Sequence, residues 1–179
     1  MIASTTILAA AVLPLAVLGS LSAQQAAPSD GLAHTRTEFH FIANASLEQT
    51  APLFGADEER KWAPGWNPKF IYPQPAHDQA GMVFQVAHGP MTATWVNTAF
   101  DLAAGSIQYA YVLADAMVAT IDIRLTRTAG DKTDVSVVYE RTALLPEAND
   151  HVRHFAKGDE EAGKQWEEQI NGYLRTRSK

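Results

Sequence analysis

Residues 146–176, PEANDHVRHFAKGDEEAGKQWEEQINGYLRT, carry Val152, Phe155, Ala162, Trp166, Ile170 and Tyr173 at three- and four-residue steps, or multiples of them. That spacing lays an apolar stripe along one face of a helix, while Asp, Glu, Lys and Arg take the other faces. Such a stripe needs a wall to lie against. The only candidate is residues 81–143, which read as consecutive short strands separated by turn residues. The expected architecture is therefore α+β: a curved antiparallel sheet wrapped around a long C-terminal helix, with a cavity where the two surfaces part.

The strands follow from alternation and punctuation. Residues 34–43, HTRTEFHFIA, are rich in β-branched and aromatic side chains and read as the first strand. Ser46 followed by Gln49 forms a capping box, predicting a short helix that buries Leu47, Leu53 and Phe54 before Gly55 interrupts it; residues 56–61 read as a second short acidic helix or turn. The same Asn44-Ala45-Ser46 matches a glycosylation sequon, whose better reading is the helix-capping turn. In the loop WAPGWNP at 62–68, two prolines forbid regular helix and two tryptophans demand burial, so it is expected to be stiff and anchored. Strands are then predicted at 69–72, 82–88, 91–100, 106–113, 116–128 and 133–143, about seven in all, joined by hairpin-length turns. Met117, Ala119, Ile121, Ile123 and Leu125 share a dry face continued by Val135, Val137 and Tyr139, while Asp122 and Arg124 fall on the wet face, where cross-strand pairing is expected. Gly158 and Gly163 each cost the closing helix about 1 kcal/mol relative to alanine, so a kink or fray is expected near Gly158.

With 179 residues, 46% of them hydrophobic, the chain can bury one core. A net charge of −6 without any basic run argues against a nucleic-acid partner. The lack of cysteine removes disulfides, thiolate metal sites and a cysteine nucleophile. Residues 7–18 are apolar apart from Pro14, too short a run to span a bilayer comfortably but suited to the h-region of a signal peptide, although no Lys or Arg precedes it. The organisation read from this is a signal peptide at 1–23, cleaved near Ala23, a linker at 24–33 and one domain at 34–179. The mature protein is expected to be exported, periplasmic or secreted, with no stable membrane span.

The first strand running into a helix (FHFIANASLEQTAPLF), the 62–68 loop followed by Phe70-Ile71-Tyr72, then Met82-Val83-Phe84, Thr94-Trp95-Val96 and the closing hairpin with its long helix together resemble the START-like, Bet v 1-like (SRPBCC) helix-grip superfamily, in its polyketide cyclase/dehydrase-type branch. The resemblance spans residues 34–176. It implies a hydrophobic small molecule held between sheet and last helix, some members being enzymes and many only carriers or sensors. The secretion-like N-terminus departs from a cytoplasmic polyketide role.

Apolar pockets with a few polar groups are what ligand sites are made of. The candidate lining is Trp62, Trp66, Phe84, Trp95, Tyr109, Tyr111, Tyr139 and Phe155, together with Arg141 and His154. Each aromatic has an equally simple reading as core. Tyr109 and Tyr111 share a face, and their buried hydroxyls, like that of Tyr139, need partners or a ligand to orient. Arg141 continues the phase of Val137 and Tyr139, so it can point inward to a ligand carboxylate or an internal acid, or fray to solvent. His151 and His154 stand three apart on the helix with no evident third ligand, which reads as a solvated face rather than a metal site. No HExxH, GxSxG or phosphate-cradling loop occurs. No catalytic residue, metal or cofactor is assigned.

Three readings follow. The first is a carrier or sensor of a small hydrophobic or amphipathic molecule, without cofactor. The second is a cyclase-, dehydratase- or hydrolase-type enzyme using Tyr139, Arg141 and His154 in the same cavity. The third is a cell-envelope interaction protein with a filled core. Convergence of the polar groups favours the second; a cavity under roughly 300 Å³, the lower end for ligand pockets, favours the third.

Overall fold

The computed structural model describes residues 31–177; the apolar run at 7–18, the cleavage point near Ala23 and the linker up to residue 30 lie outside them. The last linker residue already belongs to the folded unit. The Ala33 N–H donates to Asn149 Oδ1 (2.6 Å), and its carbonyl accepts from the Ala143 N–H (2.8 Å).

Seven antiparallel strands make one curved sheet: β1 (His34–Ala43), β2 (Lys69–Tyr72), β3 (Val83–His88), β4 (Met91–Asp101), β5 (Ser106–Leu113), β6 (Met117–Thr128) and β7 (Lys132–Ala143). Their order is β1-β7-β6-β5-β4-β3-β2, so β2 to β7 form successive pairs and β1 closes along β7 from His34↔Thr142 to Ala43↔Thr133. Between β1 and β2 come α1 (Leu47–Thr50) and two 3-10 turns, Ala51–Phe54 and Glu58–Lys61; a third, Pro146–Ala148, leads into α2 (Asn149–Arg177).

Alternation sets the dry face as expected. Met117, Ala119, Ile121, Ile123 and Leu125 are all buried, with Val135 and Val137 beside them; each of these side chains larger than alanine contributes about 1.5–3 kcal/mol through removal from water. Gly105, at φ +63°, turns β4 into β5 where a Cβ would stand 2.2 Å from the Leu125 carbonyl oxygen, so only glycine fits there. On the wet face the Asp122–Arg124 ion pair (2.7 Å) runs along β6 rather than across strands. The register explains this departure: Gln108 and Val138 stand opposite Asp122, and Ser106 and Ser136 opposite Arg124, so no opposite charge faces either. Cross-strand contacts are instead hydrogen bonds between one charged and one neutral side chain, from Gln108 to Asp122 (2.6 Å) and from Arg124 to Ser106 (2.5 Å).

On α2, Val152, Phe155 and Ile170 are buried while Ala162, Trp166 and Tyr173 are half-buried; Asp159, Gly163, Asn171 and Leu174 complete the covered stripe. The helix lies closest to β1 rather than to the β6–β7 hairpin. Gly163 permits this, because a Cβ there would come within 2.7 Å of the Phe39 ring. Asn171 clamps the far end, accepting from the Asn44 N–H (2.7 Å) and donating to the Ile42 carbonyl (2.9 Å). The break expected at Gly158 does not occur, and α2 is continuous through it. Contacts of Phe155 and Asp159 with the sheet side fix the turns around Gly158 and outweigh its low helix propensity.

Candidate functional site

Because α2 hugs β1, it leaves a gap over β3 to β7. That gap is a cavity of about 130 Å³. Its floor is Phe84 and His88 of β3, Trp95 of β4, Tyr109 and Tyr111 of β5, Ile121 and Ile123 of β6, and Tyr139 and Arg141 of β7. Its roof is His154, Phe155, Gly158, Asp159, Ala162 and Trp166 of α2, and one end is closed by Phe54, Glu59, Ala63 and Trp66. His154 and Gly158, the exposed members, mark the mouth.

Nine of the ten side chains expected to line a ligand site are therefore on this wall; Trp62 is not. Trp62 sits behind it, its indole N–H donating to the Leu53 carbonyl (2.6 Å) and its ring set edge-on against Trp166 (5.5 Å). The 62–68 loop is anchored as its composition demanded, Trp66 donating to the Ala56 carbonyl (2.8 Å). On the floor, Trp95 stacks on Tyr111 (4.3 Å) and on Phe84 (5.7 Å), and Trp66 meets Trp95 edge-on (5.7 Å). Such packing holds the rings in fixed orientations.

Arg141 points inward and donates to Asp159 on α2 through two hydrogen bonds, 2.6 and 2.9 Å, with side chains only 4% and 8% exposed. Thr37 of β1 also donates to Asp159, and the guanidinium lies over the Tyr139 ring (4.2 Å). An internal acid thus takes the place that a ligand carboxylate could have filled. Tyr109 is committed as well, donating to the Phe54 carbonyl (2.7 Å). Burial pushes the Tyr109, Tyr111 and Tyr139 hydroxyls above their ordinary range, so all three stay protonated at neutral pH.

The uncommitted polar groups are fewer. Trp95 Nε1, His88 Nε2 and Arg141 Nε are buried without a hydrogen-bond partner among the described residues. Burial, and then the neighbouring His151, lower the His88 pKa and keep its ring neutral. Glu59, in the Glu58–Lys61 turn, has a carboxyl that makes no hydrogen bond among the described residues, and it is pushed up to about 8 by burial first and by the charge of Asp78 second. His151 is half-buried with its ring edge-on to Phe155 (4.6 Å), and burial, then the neighbouring His154, lower its pKa; His154 is exposed at the mouth. Among the described residues no group of three His, Cys, Asp or Glu could hold a metal ion, and no helix is long and apolar enough to cross a membrane.

No family model matches the chain, and no curated protein matches it in sequence. Solved structures do match. Norcoclaurine synthase from Thalictrum flavum, in complex with dopamine and hydroxybenzaldehyde, superimposes with a TM-score of 0.62 over 87% of this chain and 98% of that one, at 11% identity. The Zhui aromatase/cyclase from Streptomyces sp. R1128 gives 0.64 over 82% and 97%, also at 11% identity, and Ara h 8.0201 gives 0.56 over 80% and 99%, at 14% identity. The chain has the Bet v 1-like helix-grip fold. At these identities the likeness is one of fold alone.

Within this helix-grip domain, three polar wall residues lie outside the candidate lining. Asp159 carried a signal: it lies four residues after Phe155, in phase with the apolar stripe, an acid on a dry helix face. His88 ends β3 in phase with Phe84 and Val86 and could have been placed inward by the same alternation. Glu59 carried none, because its 3-10 turn has no period long enough to read.

Proposed function

We propose that this protein binds a small amphipathic molecule, about the size of one substituted ring, in the cavity between sheet and α2, as a carrier or sensor. The observation that carries this is the wall itself: aromatic rings fixed around a space, with Trp95 Nε1, His88 Nε2 and the Glu59 carboxyl unspent. Each buried polar group left unsatisfied costs about 1–3 kcal/mol, a cost that a polar guest in this space would relieve.

Size limits the occupant. The cavity of about 130 Å³ falls below the roughly 300 Å³ under which size alone favours the filled-core interaction protein, yet it is near the roughly 150 Å³ that accepts benzene in an engineered protein core, so it leaves room for a single ring only. Norcoclaurine synthase, which shares the fold, is found with dopamine and hydroxybenzaldehyde, molecules of that size. A larger guest requires α2 to lift away from the sheet around Gly158.

One observation favours a second reading, an enzyme of the cyclase, dehydratase or hydrolase kind: Glu59, unpaired on the wall and with its pKa near 8, is matched to moving a proton near neutral pH. The apolar run at 7–18 supports an exported protein, which N-terminal sequencing of material from its own host would check.

Native mass spectrometry of the protein purified from its host, with extraction of what is bound, tests the leading reading. A co-purifying single-ring molecule is the expected result. A protein that arrives empty and takes up no single-ring probe would end it.

A further inference from the structure

We infer that the molecule this cavity is built for carries a positively charged amine, docked on the Glu59 carboxylate. The inference rests on the binding reading above and adds the ligand's charge.

Two carboxyls line the cavity, and they differ in one respect. Asp159 is saturated by Arg141 and Thr37. Glu59 has nothing. The cations beside it in sequence are turned elsewhere: Arg60 pairs with Asp57 (3.3 Å), donates to the Pro68 carbonyl (2.8 Å) and lies over the Phe70 ring (5.0 Å), while Lys61 pairs with Glu58. The donors nearby are also spent inside the protein, Trp62 on Leu53, Trp66 on Ala56 and Tyr109 on Phe54. A donor for Glu59 other than water must therefore come from the ligand.

The surroundings select the sign of that donor. Asp78 adds a second negative charge beside Glu59, and the other titratable groups facing it, Tyr109 and Tyr139, are neutral. Arg141, the only Lys or Arg on the wall, is already matched by Asp159. An anionic guest meets the Glu59 carboxyl with the charge of Asp78 behind it. A cationic one meets a carboxylate and the π-faces of Trp66 and Phe84. In the empty protein Glu59 holds a proton near neutral pH; a protonated amine displaces it, so binding releases a proton and tightens as pH rises toward 8.

The test is calorimetry on the full chain with 2-phenylethylamine and 2-phenylethanol, which differ only in the head group. At pH 8 the amine is expected to bind roughly tenfold or more tightly, the size of one charge-assisted hydrogen bond. That preference should shrink at pH 6 and vanish in E59Q. Equal binding of the two compounds, a preference for the alcohol, or an amine preference that survives in E59Q overturns the inference and leaves the cavity reading standing. Failure of both compounds to bind the wild type overturns the two together. The wild-type comparison decides the matter even if E59Q does not fold.

Discussion

Asp159 on α2 and Arg141 on β7 meet through two hydrogen bonds, 2.6 and 2.9 Å, inside the cavity wall, joining the gripping sheet to the gripped helix at one buried point. The pair also closes the ring-lined space on the side where Phe155 and Tyr139 flank it.

Removing one partner strands the other. Arg141→Ala leaves a buried carboxylate with only Thr37, and a loss of about 3–5 kcal/mol in chemical denaturation is expected. The double change Arg141→Met with Asp159→Leu should recover most of that loss, because an apolar pair of similar volume needs no charge compensation. A double variant no more stable than the single one would show that the pair itself, rather than its imbalance, holds α2 in place.

Glu59 makes stability fall with rising pH. Its folded pKa, about 8, lies above the ordinary value of 4.5, so the native state holds the proton more tightly, and this contribution is complete below 4.5 and lost as pH climbs through 8. Glu59→Gln should therefore match the wild type near pH 4.5 and exceed it above pH 8, by on the order of 2 kcal/mol once solvent screening at a half-buried site is allowed for. Melting curves across that window check it.

His88 acts in the opposite direction. Burial holds its folded pKa below the ordinary 6.5, so its contribution is present above 6.5 and is lost as pH falls through the depressed folded value. Replacing it with glutamine should flatten the acid limb of the stability profile. An unchanged acid limb would assign that slope to carboxylates.

The two helix glycines should respond with opposite signs. Gly158 has open space around it, so Gly158→Ala is expected to stabilise α2 by about 0.5–1 kcal/mol. Gly163→Ala drives a Cβ into the Phe39 ring and is expected to cost about 1–3 kcal/mol despite alanine's better helix propensity. Bulk at 158 also stands at the mouth, so Gly158→Leu should slow uptake of a ring-sized probe in stopped-flow fluorescence.

Much of the site was legible because strands and helices print a period on the residues that share a face. Trp95, Tyr109, Tyr111 and Tyr139 fall inward by alternation alone, and Arg141 by continuing the phase of Val137. Asp159 shows the same signal from the helix side, so the buried ion pair was written as two charges out of place on two dry faces. Trp62 stands behind the wall rather than on it, because burial of an indole does not decide which side of the wall it occupies.

Sequence by itself determined the strand and helix positions, the dry face of the sheet and the anchored tryptophan loop, since each follows from local pattern and the requirement to remove apolar surface from water. Only the tertiary structure decided that α2 lies on β1 through Gly163, that Arg141 finds Asp159, and that Glu59 faces a small ring-lined space without a partner among the described residues. Those relations join residues far apart in the chain, and the size of the gap between packed surfaces depends on every side chain that meets there.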